Sequence, residues 1–289
     1  MDAFFFIDKP TGQTSFDVLR DMRRILWIKK IGHSGTLDPL ATGGLLVATG
    51  QYTKLISYVE KDTKKYLATI SLDGTSPSFD SDSEISYLST LEQEKYQKNL
   101  SLEEIDNLFK ENFLWEIMQI PPKYSALKID GKRAMDRMRA GEDVEMKSRK
   151  ANILFYKIES FSYPELIVEI KVSAGTYIRS IANDLGEILG TGGYLTALRR
   201  TGVWKLDISL STKLEDLDES KQLDIHSIFW DRIFLFQDEV VLRRLSDGQR
   251  VWGEYEFPVG QDIFLFDGNV IRYIVEYKDS VLHPRKKIK

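Results

Sequence analysis

Gly32-His33-Ser34-Gly35-Thr36-Leu37-Asp38-Pro39-Leu40-Ala41-Thr42-Gly43 is the stretch on which the reading of this chain turns. Three glycines, two threonines, a serine and a proline demand an irregular backbone, and the apolar run that follows, Leu45 to Ala48, reads as a buried strand. Asp38 precedes a proline, which drives it toward extended backbone and away from helix. Such a loop presents one carboxylate at the end of a strand, although Asp-Pro is also an ordinary turn pair, and the residues alone leave both readings open. A phosphate-cradling loop is excluded: the GxxxxGK[ST] order is missing, and the nearest lysine downstream is Lys54. A hydrolytic set built on His33 and Asp38 lacks a serine or cysteine on a nucleophile elbow.

Outward from this loop, residues 1–8 read as a first strand, followed by a helix that Ser15 caps. Its apolar stripe is Val18, Leu19, Met22, Ile25 and Leu26. Tyr66, Ala68, Ile70 and Leu72 alternate along one face of a strand. Residues 73–100 are polar and acidic and read as a surface loop, after which Ser101 and Glu104 form a capping box for a helix bearing Leu102, Ile105, Leu108 and Phe109. Residues 119–150 form a long excursion with little core periodicity. Residues 166–173 alternate as a strand, and Gly175-Thr176 turns the chain into a helix with Ile178, Ile181, Ala182, Leu185, Ile188 and Leu189 on one face, ended by Gly190. The last fifty or so residues, including Val240 to Val251, read as β-rich, with Asp267-Gly268 as a hairpin turn. Without βαβ regularity the class is α+β, with a small C-terminal β-rich domain from about residue 236.

Composition narrows the chemistry. The 289 residues are 42% hydrophobic and 29% charged, ordinary for a globular protein. With no cysteine, disulfides, thiolate metal sites and thiol catalysis are excluded, and three scattered histidines (His33, His226, His283) make a His-rich metal site an unattractive reading. No apolar run is long enough for a membrane helix, and the N-terminus has no basic region ahead of its apolar run, which points to the cytoplasm. The net charge of −4 hides an asymmetry: residues 119–157 hold 10 Lys/Arg against 5 Asp/Glu, whereas residues 73–118 hold 3 against 11. A local basic segment is what phosphate contact requires, and total charge does not report it; it also fits a solvated face.

Five stretches, in order, carry a resemblance. The loop 32–43 resembles the Gly-His-x-Gly-x-Leu-Asp-Pro-x-Ala-x-Gly signature of TruB-type pseudouridine synthases. Lys9-Pro10 with Gly12, Thr14 and Ser15 resembles the family's first motif, and Lys65-Tyr66 its tyrosine motif. Pro121-Pro122 with Tyr124-Ser125-Ala126 and Lys128 resembles its third, and Gly175-Thr176-Tyr177-Ile178-Arg179 through Leu198-Arg199-Arg200 its last. The resemblance spans residues 4 to about 205.

The resemblance implies a pseudouridine synthase fold: a central mixed, mostly antiparallel sheet in a catalytic domain of residues 1–235, and a short PUA-like RNA-binding domain of residues 236–289. It implies isomerisation of uridine 55 in the T arm of tRNA, without cofactor, metal or guide RNA, by a monomer. Asp38 is then the catalytic carboxylate, attacking C1′ of the ribose or taking the C2′ proton. Arg179 pairs with it, and Tyr66 stacks on the flipped uracil and serves as acid or base at C5. Tyr177 and Leu198 line the base pocket, His33 inserts into the RNA loop, Lys9 and Pro10 brace the active-site loop, and residues 119–150 close on the RNA arm. Two places depart from the family pattern: Ser76-Pro77-Ser78-Phe79-Asp80 replaces a Thr-Asp-Thr stretch, and Met135 replaces a tyrosine. A non-catalytic RNA-binding protein, a guide-dependent synthase and a metal-dependent nuclease are the rival classes. The intact Asp38/Tyr66/Arg179 set, the basic insertion and the lack of clustered ligand carboxylates speak against them in turn.

Overall fold

The structure, a computed structural model, describes residues 1–59, 63–229, 233–267 and 270–288. Its main element is a nine-stranded mixed sheet. The long strands are β1 (Phe4–Lys9), β3 (Thr42–Thr49), β4 (Lys64–Ser71), β6 (Arg149–Ser162), β7 (Glu165–Val172) and β8 (Tyr194–Val203). Shorter ones are β2 (Ile31–His33), β5 (Trp115–Gln119) and a two-residue strand, Leu206–Asp207, that pairs with β8. The order is β1-β3-β8-β4-β7-β6-β5, with β2 added on β3. Only the β3–β8 pairing is parallel among these neighbours, so the sheet is mixed and mostly antiparallel, as expected.

Strand β1 is apolar from Phe4 to Ile7 because both of its faces are covered there. Phe5 and Ile7 point to α1 (Ser15–Ile25), whose Val18, Leu19 and Met22 are buried against them. Phe4 and Phe6 point the other way, toward the C-terminal sheet. The cap of α1 is Thr14 rather than Ser15: Thr14 accepts from the Asp17 amide, and Asp17 returns a bond to the Thr14 amide at 2.9 Å. Ser15 is the first helical residue and is used elsewhere, as described below. Ile25 lies outside the stripe and is exposed.

Tyr66, Ala68, Ile70 and Leu72 all face one core, together with Leu166, Val168 and Ile170 of β7. Ile178, Ile181 and Leu185 of α4 (Ile178–Leu189) cover that face, while Ile188 points outward. Gly190 ends α4 at φ 75°, a left-handed conformation that glycine adopts without a Cβ penalty.

Two segments also differ from expectation. Residues 73–100 are not wholly loop, since Thr90–Asn99 form α2. The helix buries none of its residues, so it has no apolar stripe to betray it. What starts it is a reciprocal capping box between Ser89 and Glu92. At α3 (Leu102–Asn112) the cap is one-sided, with Ser101 accepting from the Glu104 amide at 3.2 Å. The second correction falls on Val240 to Val251, where Glu239–Ser246 form a helix, α5. Asp238 caps it, and the buried pair Val241 and Leu245 is at helical i,i+4 spacing, which a run of three apolar residues disguised as strand.

The rest of the C-terminal region is a five-stranded sheet that includes β9 (Asp262–Asp267), β10 (Val270–Lys278) and β11 (Val281–Lys287). Asp267 pairs with Val270, and Gly268, assigned to the hairpin turn, lies outside the described residues. This sheet docks on the first through aromatic contacts: Phe229 stacks on Phe264 at 4.7 Å and meets Phe4 edge-on at 5.9 Å. Among the described residues no helix is long and apolar enough to cross a membrane.

Candidate active site

The loop between β2 and β3 is held from several sides. Ser34 donates its amide to Leu46 O at 2.9 Å. Ser15 clamps Leu37, accepting from its amide at 2.8 Å and donating to its carbonyl at 3.1 Å, so α1 is pinned to the loop by its first residue. Lys9 is fully buried, and its ammonium donates to the carbonyls of Gln13 (2.6 Å), Pro10 (2.9 Å) and Pro39 (3.4 Å). Burial lowers the Lys9 pKa to about 8, opposed by the Asp38 charge. Arg200, also fully buried, donates to Gly44 O at 2.7 Å and Gly35 O at 3.1 Å. Gly43 is obligatory here: its φ is 98°, and a Cβ would lie 2.3 Å from Arg200 O.

These supports present Asp38 to a concave pocket of about 360 Å³. Tyr66, Tyr177, Arg179 and Leu198 line the same pocket, brought there by β4, the turn before α4, α4 itself and β8. Arg179 is buried and forks between two carboxylates, Asp38 at 3.0 Å and Asp80 at 3.2 Å. Its terminal nitrogens also donate to Ser78 O at 3.0 Å and Tyr124 O at 3.1 Å, while its Nε is buried without a hydrogen-bond partner among the described residues. The Asp38 side chain is 38% exposed and lines the pocket. Desolvation by those walls raises its pKa above the ordinary carboxylate value, against the pull of Arg179 and with a push from Asp80 and Asp82.

Not every expected residue converges. His33 belongs to β2, is half-buried and is not part of the pocket lining. Burial lowers its pKa, helped by the Arg200 charge, and its Nδ1 is buried without a hydrogen-bond partner among the described residues. Lys9 and Pro10 lie behind the loop, at its supports rather than in the cavity.

Sequence reasoning overlooked Asp80. It lay in an acidic stretch read as solvated surface, yet it is buried, held by Ser78 Oγ at 2.5 Å, with its segment bonded to β8 through Leu195. The available signal was the serines two and four residues before it, both of which bond to Asp80. Arg149, Lys64 and Arg200 also line the pocket and were not singled out as site residues.

Residues 23–178 match the model of the TruB family pseudouridylate synthase (N terminal domain), and residues 179–229 that of the tRNA pseudouridylate synthase B C-terminal domain. The tRNA pseudouridine synthase B of Corynebacterium glutamicum (strain R) is 41% identical over 225 residues, 76% of this chain and 73% of that protein. The protein of the same name from Phocaeicola vulgatus is 41% identical over 220 residues, 74% of this chain and 91% of its own. Among solved structures, a chain of a Cbf5-Nop10-Gar1 complex superposes with a TM-score of 0.71 at 20% identity, over 99% of this chain and 85% of that one. A chain of an H/ACA RNP bound to a substrate RNA containing 2′-deoxyuridine also gives 0.71, at 18% identity and the same coverages. Those two likenesses establish the pseudouridine synthase fold, and the sequence matches, spanning most of the chain, go further: the chain belongs to the TruB family of pseudouridylate synthases.

Proposed function

We propose that this protein isomerises uridine 55 in the T arm of tRNA to pseudouridine, with Asp38 as the carboxylate that acts at the ribose. The observation that carries the reading is the Arg179–Asp38 pair, 3.0 Å apart inside a pocket that Tyr66 also lines. A cavity of about 360 Å³ accommodates one nucleotide and not a duplex, so the target base must leave its stack at a cost of a few kcal/mol. Stacking on Tyr66, worth ~1–3 kcal/mol, offsets much of that cost.

The reaction breaks the bond between N1 and C1′, turns the uracil in place and forms a bond between C5 and C1′. The proton leaving C5 balances the one gained at N1. An ionised Asp38 serves at C1′ as nucleophile or at C2′ as base, and in both routes Arg179 keeps the carboxylate charged and oriented by a bidentate-capable, permanently charged partner. The Tyr66 hydroxyl is the acid or base at C5. Tyr177 and Leu198 wall the base, and His33 supports the flipped state from the RNA loop. Residues 119–150, with their excess of basic residues, close on the arm, and the C-terminal sheet from about residue 236 contributes PUA-like RNA contacts. The protein acts alone, without cofactor or guide RNA.

The test is mass-shift mapping of pseudouridine in a T-arm transcript incubated with the purified chain. Wild type converts uridine 55; Asp38→Asn and Asp38→Ala lose turnover by more than a thousandfold, on the order of a removed covalent or acid–base catalyst, and retain RNA binding. Turnover by either variant at the wild-type rate overturns the role of Asp38.

A further inference from the structure

Both ends of the basic insertion grip the same pocket residue. Gln119, the last residue of β5, and Arg149, the first of β6, are direct partners across the strand ladder. Gln119 is fully buried and trades two hydrogen bonds with the backbone of Tyr177: Nε2 donates to Tyr177 O at 2.9 Å, and Oε1 accepts from Tyr177 N at 2.8 Å. The Arg149 guanidinium lies 4.6 Å from the centre of the Tyr177 ring and donates to Gly175 O. The root of the insertion is therefore fastened to the turn that precedes Arg179.

Arg149 also lines the pocket with Asp38, and it differs from its neighbours in what it holds. The terminal nitrogens of Arg179 are committed to two carboxylates and two carbonyls, and Arg200 reaches two backbone carbonyls. Among the described residues Arg149 makes no ion pair with a carboxylate. A guanidinium carries five N–H donors in a planar fork, and one contact to Gly175 leaves most of that fork available for an anion. The ring of Tyr177 and the carbonyl of Gly175 fix the plane beforehand, so little rotamer entropy is lost when an anion arrives.

We propose that Arg149 binds a backbone phosphate of the substrate RNA at the rim of the pocket, on a mount built by Tyr177 and Gly175. The chemical fit is that of a planar fork for two phosphate oxygens, and a nucleotide turned into the pocket carries a phosphate to its rim. This rests on the reading of the substrate as RNA given above.

The measurement is the affinity for a T-arm stem-loop RNA across a range of salt, between about 50 and 200 mM, in the Asp38→Asn background so that the RNA is not converted. A lost phosphate contact lowers the slope of log affinity against log salt by about one. Arg149→Gln is expected to show that drop, losing about three- to fourfold less affinity than its parent over the fourfold range of salt. Arg149→Lys, which keeps the charge, is expected to retain the parent's slope. An Arg149→Gln protein with the parent's slope overturns the proposal, because a side chain that merely holds Gly175 releases no counterion. A lysine variant whose slope matches that of the glutamine variant overturns it as well. Conversion of the same RNA by the unsubstituted chain is measured alongside: no conversion overturns the tRNA reading, whereas conversion with an unmoved slope overturns the role of Arg149 alone.

Discussion

The two sheets of this protein bury different chemistry. Among the described residues, the charged side chains that are buried are Lys9, Lys64, Asp80, Arg179 and Arg200, and all of them belong to the first sheet, its loops or helix α4, which covers it. The described residues between 233 and 288 bury none; their interior is Ile263, Phe264, Leu265, Phe266, Ile271, Ile274 and similar side chains. Burying a charge costs several kcal/mol unless it is paired, whereas burying aliphatic and aromatic groups is favourable. The first region sustains an unfavourable interior because its interior is the site. The second lacks that constraint, so its core serves stability.

The largest effect expected from this difference is at Asp80. It is buried beside Arg179 at 3.2 Å, so Asp80→Ala leaves a buried cation with one carboxylate instead of two. Breaking a buried pair in this way typically costs ~3–5 kcal/mol. The substitution also releases the second tether of Arg179, so turnover falls along with stability. Urea unfolding and single-turnover pseudouridine formation report the two quantities, and a variant unchanged in both removes the distinction between the sheets.

A smaller effect sharpens the comparison from the other side. Ile274 is fully buried in the cluster that joins β10 to Phe4 and Phe6. Ile274→Val removes one methyl from a close-packed core and costs about 0.5–1.5 kcal/mol. No charged group is touched, so the rate per folded molecule remains that of wild type. A drop in that rate, measured on protein shown to be folded by circular dichroism, contradicts the assignment of a purely stabilising interior to the second sheet.

The same division explains what was legible in the sequence. Elements with a one-sided apolar pattern were readable: β4 through Tyr66, Ala68, Ile70 and Leu72, and α4 through Ile178, Ile181 and Leu185. Helix α2 was not, since it packs no apolar face and depends on the Ser89–Glu92 cap and on Tyr96, whose hydroxyl donates to Gly190 O at 3.0 Å. In the pocket, Asp38, Tyr66, Tyr177, Arg179 and Leu198 were found because five ordered motifs named them, not because composition did. Asp80 was hidden for a physical reason: a buried carboxylate is indistinguishable from an exposed one until its partner, 99 residues away in sequence, is placed beside it. The position of His33 outside the pocket was equally beyond reach, since it depends on β2 pairing His33 with Val47.

The smallest effect expected concerns Asp38 itself, and its sign separates function from stability. Burial raises the folded-state pKa of Asp38 above its ordinary value. The folded protein therefore holds this proton more tightly than the unfolded chain does. Such a group contributes stability that is present below the unfolded pKa and is lost as pH rises through the folded one. At neutral pH the ionised carboxylate is then a burden, and Asp38→Asn, nearly isosteric and uncharged, relieves it. The side chain is 38% exposed, so solvent screens the effect to below about 1 kcal/mol. The variant is expected to melt slightly higher than wild type at pH 7, and the gap to close as pH falls past the folded pKa of Asp38 toward the ordinary carboxylate range. A variant that melts lower at pH 7 means that attraction to Arg179 outweighs desolvation, and Asp38 then stabilises the fold rather than burdening it for the sake of reaction.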